Sequence, residues 1–408
     1  MPYLIEPDLS WPQRQSSVAV KNGLIVSGEK FEGAPEITAE ADFTVLTPGW
    51  VNSHAHLELS GCPPVEYNGS FADWILEVYE FKISRSADQV VSSYLQGCDE
   101  LLASGVCRVV DHCDMTDSLL ETALEHPLDI YMLKELIAHS EMQREEKFQQ
   151  ARRFLDKAAG KGLKAGLAPH APYSAHPEIY KMASKLAWRK DNTLSMHLHE
   201  IEAELEYALE GTGEFVKLLK KRGIDNPRSP FDERPIATLV SGDYLSRPAF
   251  GIHLNYLNES DHRWLEAGEI TPVFCPNSYD HFGHETLPVL DWFSRDYQFA
   301  LGTDSKSSNT SLNMLEELKT LNRLAPELPA DEILKALTVY PCRVLGIPES
   351  AVLTEGTPAD LSLFEVDGSD VDSLARGRAS ALLVIRDGIV CWYDKEKVSL
   401  PPDCPVKF

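Results

Sequence analysis

Four apolar runs in this chain stop abruptly at histidine, glutamate or aspartate, and that recurrence constrains the fold more than any other feature. The first runs from Thr47 to Leu57 and ends in His54-Ala55-His56; the second runs from Asn192 to Glu200 and carries His197 and His199. The others are Ala249 to Leu254, with His253, and Phe299 to Ser305, with Asp304. Such endings are what the carboxyl ends of parallel strands look like when they feed one site. Alternate side chains of a strand share a face, so His54 and His56 can reach one ion. A lone His-x-His is more often a solvated or core pair than a metal site. Here the pair has company downstream. His54, His56, His197 and Asp304 together offer three neutral nitrogens and a carboxylate, a set suited to one divalent ion, Zn2+ first and Fe2+ second. Glu200 and His253 are left for proton transfer. His197 and His199 share a strand face, so spacing alone leaves either as the ligand.

Between the chain ends, predicted strands alternate with helices, which points to a parallel sheet. One helix is expected to open at the capping box Ser86-Ala87-Asp88-Gln89 and to stop near Gly105, before a strand at Val106 to Val110. Near the ends, Asn22-Gly23 and Asp387-Gly388 each separate two short apolar runs, and both read as hairpin turns because these pairs accept positive φ. Two terminal β segments that cannot bury a face alone are expected to pack together. Of 408 residues, about 250 suffice for a (β/α)8 barrel, leaving the rest for insertions and a second module.

The motifs in order are Pro48-Gly49-Trp50-Val51-Asn52-Ser53-His54-Ala55-His56, Pro169-His170-Ala171-Pro172-Tyr173-Ser174, His197-Leu198-His199-Glu200, His253, and Gly302-Thr303-Asp304-Ser305. This series resembles the amidohydrolase superfamily, in particular the mononuclear aminohydrolases that include chlorohydrolases and deaminases of purines, pterins and nucleosides. The resemblance covers nearly the whole chain. It implies an α/β fold, a (β/α)8 TIM barrel over 48–345 with a small β-sandwich built from the N- and C-terminal segments 1–47 and 346–408. It also favours His197 over His199 as ligand, and implies that Asp304 doubles as ligand and base. In this reading the ion activates water. Glu200 protonates a ring nitrogen and later the leaving amine, and His253 orients the nucleophile or stabilises charge. His170 contacts substrate.

The segment Leu57-Glu58-Leu59-Ser60, followed by Gly69-Ser70-Phe71-Ala72-Asp73-Trp74, resembles the deaminases of 6-amino-6-deoxyfutalosine, an intermediate of menaquinone biosynthesis. On that resemblance Phe71 and Trp74 line an adenine pocket; the alternative is two core aromatics. The runner-up activities are deamination of another purine or nucleoside, chlorohydrolysis and cyclic amide hydrolysis, and the non-enzymatic alternative is a silent barrel scaffold. One departure stands out: many relatives carry Cys-Pro-x-Ser-Asn, and here Cys275-Pro276-Asn277-Ser278 is followed by Tyr279. His112, His126, His139, His176 and His262 match no motif and read as structural or exposed. His281 and His284 fall in a loop after a seventh strand at Thr271 to Phe274, where they touch substrate or solvent. Lys306 either contacts substrate or points outward.

Composition excludes some partners. With 38 basic and 63 acidic residues the net charge is −25, which disfavours nucleic acid and anionic membrane surfaces. The eight cysteines form no Cys-x-x-Cys pair, so neither a disulfide framework nor a zinc ribbon is expected. The same absence rejects the deaminases that hold zinc through a Pro-Cys-x-x-Cys segment. No run approaches a membrane span and no signal-type segment opens the chain, so a cytoplasmic enzyme of a small-molecule substrate is expected. A homodimer is left open.

Overall fold

The computed structural model describes residues 2–28, 33–113, 117–189, 192–224, 227–245 and 248–407. Its centre is one parallel sheet of eight strands in sequence order. The strands are β1 (Trp50–Ala55), β2 (Val106–Cys113), β3 (Asp129–Leu136), β4 (Ala165–Pro169), β5 (Thr193–Leu198), β6 (Ala249–His253), β7 (Ile270–Phe274) and β8 (Ala300–Leu301). Nearly every residue of these strands is buried. Parallel strands covered on both faces read as such continuous apolar runs, with polar residues only where the strands end.

The last strand returns to the first, so the sheet is a nearly closed barrel. Ala55 and Asp304 form a parallel bridge, and the backbone N–H groups of Thr303 and Asp304 donate to the His54 carbonyl at 3.0 and 3.1 Å. Two residues of the recurring motifs make this seam. The buried Asn52 side chain donates to Thr303 Oγ1 at 2.8 Å and accepts from the Thr303 N–H at 3.2 Å. Gly302 lies so close to β1 that a Cβ there would sit 2.9 Å from His54 Cβ. A side chain at this position would therefore push against a site histidine.

Helices cover the outside of the barrel. The helix Ala87–Ala103 begins with Ser86 and Gln89 in a reciprocal capping box, as the sequence predicts, and it hands over to β2 through Gly105. Two five-stranded sheets lie beyond the barrel, and each mixes strands from both chain ends. One includes the Val18–Lys21 and Leu24–Ser27 hairpin, and the other the Ala379–Arg386 and Ile389–Tyr393 hairpin. Asn22, Gly23, Asp387 and Gly388 all have positive φ, from 50° to 81°. The two turns also touch, since a Cβ on Gly388 would sit 2.8 Å from Gly23 Cα. Tyr3, Ile5, Val18 and Val20 share one buried core with Leu361, Leu363, Leu383 and Ile385, so neither end completes that core alone. All eight cysteines are free thiols. Among the described residues no helix is long and apolar enough to cross a membrane.

Candidate active site

The site lies at the carboxyl ends of the barrel strands. His54 is within β1 and His56 follows it, while His112, Glu135, His197 and His253 sit at or near the ends of β2, β3, β5 and β6. His54 is the hub. Its Nε2 stands 3.3 Å from His197 Nε2 and 3.3 Å from Asp304 Oδ1, and His56 Nε2 is 3.7 Å from the same oxygen. Two donors held about 2.0–2.1 Å from one ion at a tetrahedral angle stand about 3.3 Å apart, so these spacings fit a shared divalent cation. Two ring nitrogens facing each other also make sense when both lone pairs point at one cation. His197 Nδ1 faces the His170 carbonyl at 3.2 Å, and a proton placed there leaves Nε2 free as a donor.

Asp304 is aimed by its other oxygen. Oδ2 accepts from Ser278 Oγ at 2.9 Å and Ser308 Oγ at 2.8 Å, leaving Oδ1 toward the histidines. Burial alone would raise this carboxyl; the hydrogen bond from His54 and the charges of His54, His253 and His56 hold it well below the usual range. Ser278 belongs to the Cys275-Pro276-Asn277-Ser278 segment, and Asn277 is engaged by Glu317 and Asn309. That segment thus supports the site from outside the cavity.

Glu200 and His253 form the second part of the centre, with Glu200 Oε1 3.4 Å from His253 Nε2. Burial, then the charges of Asp304 and Glu204, push the Glu200 carboxyl well above the ordinary value. Burial drives His253 down to about 3. A protonated acid beside a neutral imidazole is a proton donor facing an acceptor. His253 and Asp304 also have left-handed backbones, with φ of 71° and 57°. Such conformations cost energy in non-glycine residues and concentrate where side-chain aim matters.

A cavity of about 280 Å³ opens over these groups. Its floor includes His56, Glu135, His170, Glu200, His253 and Asp304, and its wall is apolar, with Phe71, Trp74, Ile75, Leu218 and Leu219. Phe71 and Trp74 thus face the cavity while also packing on each other at 5.4 Å between ring centroids. His170 lines the cavity with Nδ1 2.7 Å from Ser174 Oγ.

Other histidines are sorted by the same geometry. His199 is buried away from the cluster, 3.5 Å from Arg234 and 3.9 Å from Asp261. His281 ends the helix Pro276–Phe282 instead of lying in a loop, and His284 Nδ1 is 3.0 Å from Tyr256 Oη. Neither lines the cavity, and Lys306 pairs with Glu100 at 3.2 Å. His112, read from the sequence as structural or exposed, is fully buried among the site histidines, with its ring 4.5 Å from His54. No spacing motif contains it. Its only sequence signal is an inward position at the end of a predicted strand, Val106 to Val110, extended by two residues. Glu135 was missed for the same reason.

Comparison with known proteins gives the family and the fold. Residues 45–390 match the Amidohydrolase family. The 5-methylthioadenosine/S-adenosylhomocysteine deaminase of Pyrococcus furiosus is 26% identical over 420 residues, covering 94% of each chain. Among solved structures, an adenosine deaminase from Xanthomonas campestris with bound zinc superposes with a TM-score of 0.80 at 20% identity, over 98% of this chain and 94% of the other. The Helicobacter pylori aminofutalosine deaminase bound to methylthio-coformycin gives 0.80 at 19% identity, over 95% and 98%.

Proposed function

This chain belongs to the amidohydrolase family, and we propose that it is a metal-dependent aminohydrolase that releases ammonia from an adenine-like heterocycle. The observation that carries this reading is the proximity of His54 to His197 and Asp304, and of His56 to Asp304, beside a Glu200–His253 pair under one apolar-walled cavity. His54, His56, His197 and Asp304 would hold the ion, with zinc the leading candidate and ferrous iron the second. When bound, such an ion makes water nucleophilic at neutral pH.

The chain's own groups do the remaining work. Protonated Glu200 donates to a ring nitrogen of the bound heterocycle, drawing electron density from the carbon under attack; as carboxylate it then takes the remaining proton of the added hydroxyl, passes it to the departing amine, and is reprotonated from Asp304 once ammonia has left. His253, neutral and beside Glu200, stabilises the developing tetrahedral carbon's oxygen. Asp304 takes the proton released by the attacking water through Oδ1, while Ser278 and Ser308 keep Oδ2 fixed. His170 hydrogen-bonds the substrate from the cavity floor. Phe71 and Trp74 bound the apolar part of the cavity, which suits a purine face or an apolar substituent.

Within this class the leading substrate is 6-amino-6-deoxyfutalosine, which would place the enzyme in menaquinone biosynthesis. The Leu57-Glu58-Leu59-Ser60 and Gly69 to Trp74 segments support it, as does the aminofutalosine deaminase among the structural relatives. A second reading, 5-methylthioadenosine, is favoured by sequence relatives that align over most of the chain. The test is ammonia release and loss of adenine absorbance from zinc-loaded protein offered 6-amino-6-deoxyfutalosine, 5-methylthioadenosine and adenosine. Preferential turnover of the first supports the leading reading. Preference for the second replaces it, and inactivity on all three rejects adenine-like substrates.

A further inference from the structure

His112 is the one buried histidine at the cluster that the proposed chemistry leaves without a task. It extends from β2 into the barrel and is fully buried, and neither ring nitrogen has a hydrogen-bond partner. A neutral imidazole carries one N–H and one lone pair, and a ring placed in the core for packing normally satisfies at least one of them. Its neighbour Asp111 does so, accepting from the Leu57 N–H at 2.9 Å on the opposite face of the strand. Around His112 there are instead three imidazoles. Its ring centroid lies 4.5 Å from His54, 5.2 Å from His197 and 5.7 Å from His56, and it stands edge-on to all three, at 78° to 86°.

We infer that His112 is a further ligand of the ion, a fourth imidazole donated by β2. One ligand nitrogen from each of His54, His56, His112 and His197 falls within a common 4.8 Å envelope. Two nitrogens about 2.1 Å from one ion stand up to about 4.2 Å apart, so a 4.8 Å envelope is close to the span of donors drawn onto a single ion. A lone pair aimed at a cation also accounts for the missing hydrogen-bond acceptor role. With Asp304 the protein then offers five donors, leaving a sixth position for water. The arrangement differs from a three-histidine, one-aspartate set in holding the ion more tightly without adding charge. It also favours an ion that accepts more than four donors.

This inference rests on the reading that the cluster binds a divalent ion, and the experiment separates the two. A crystal structure of the cobalt-loaded full chain is expected to show a His112 nitrogen about 2.1 Å from the ion. A nitrogen beyond about 3 Å, with the ion held by His54, His56, His197 and Asp304, overturns the inference and leaves the metal reading standing. No ion at the cluster overturns both. In solution, His112→Asn and His112→Leu are expected to release cobalt to a chelator at least about 10-fold faster than the wild type, with circular dichroism unchanged. A folded variant with wild-type release kinetics contradicts ligation. Should both variants fail to fold, the wild-type crystal structure decides the question alone.

Discussion

At the scale of single residues, burial sets the protonation of Glu200 and His253, while the histidines around Asp304 hold that carboxyl low against burial. In the proposed chemistry Glu200 serves as the acid and His253 as its neutral partner, because burial disfavours the charged form of each. Glu204, one turn further along, shows the same physics without a catalytic task. It accepts from the His199 N–H at 2.7 Å, yet burial pushes it up to about 8. In the unfolded chain a glutamate titrates near about 4.3. Between these values the folded state binds the extra proton, so the group's contribution to stability is present at low pH and is lost as pH rises toward about 8. Glu204→Gln, which keeps the acceptor oxygen and removes the charge, should therefore gain melting temperature over the wild type progressively from pH 5 to 8. A constant difference across that range would remove the buried charge from the account. The sequence revealed His54, His56, His197, Glu200, His253 and Asp304 because their spacing is local. His112 and Glu135 were not legible, since neither belongs to a local spacing motif and each meets the other site residues only when the barrel closes.

At the scale of elements, the seam between β1 and β8 controls the geometry of the site. Asn52 ties the two strands, and Gly302 permits their approach to His54. The sequence showed both residues as parts of motifs, but their partners are about 250 positions apart and appear only in three dimensions. Gly302→Ala would drive a methyl against His54 Cβ and the His54 backbone. Overpacking of this kind costs about 1–3 kcal/mol. We expect reduced stability in urea together with weaker metal retention on dialysis. Loss of stability with wild-type metal retention would mean that the seam supports the barrel without setting His54. The capping box at Ser86 and both hairpin turns were legible because each is written within four residues. Ser278 and Ser308, which aim Asp304, were not, because serine carries no sequence signature of the carboxylate it will meet.

At the scale of the whole molecule, the barrel and the terminal sheets are joined by one buried ionic knot. Arg108 of β2 pairs with Asp129 of β3 and with Asp360, just before the strand Leu361–Val366. Asp360 also accepts from the Asp387 N–H at 2.8 Å, within the C-terminal hairpin turn. Removing one partner of such a buried set leaves uncompensated charge and costs about 3–5 kcal/mol. Arg108→Leu should lose roughly that much in urea unfolding; a loss below about 1 kcal/mol would show that the sheets are held by their apolar core alone. The barrel was legible as alternating strands and helices, and the paired terminal segments as two hairpins short of a core. The Arg108–Asp360 link was not, because it joins residues that the sequence gives no reason to associate.

All three scales bear on one proposed hydrolytic centre in which Glu200 moves the proton. The most direct test is ammonia release by the zinc-loaded Glu200→Gln variant, measured beside the wild type on its best substrate with metal content determined on the same samples. The account predicts equal metal content and turnover lowered by at least about 100-fold. Equal metal content with near-wild-type turnover would contradict it.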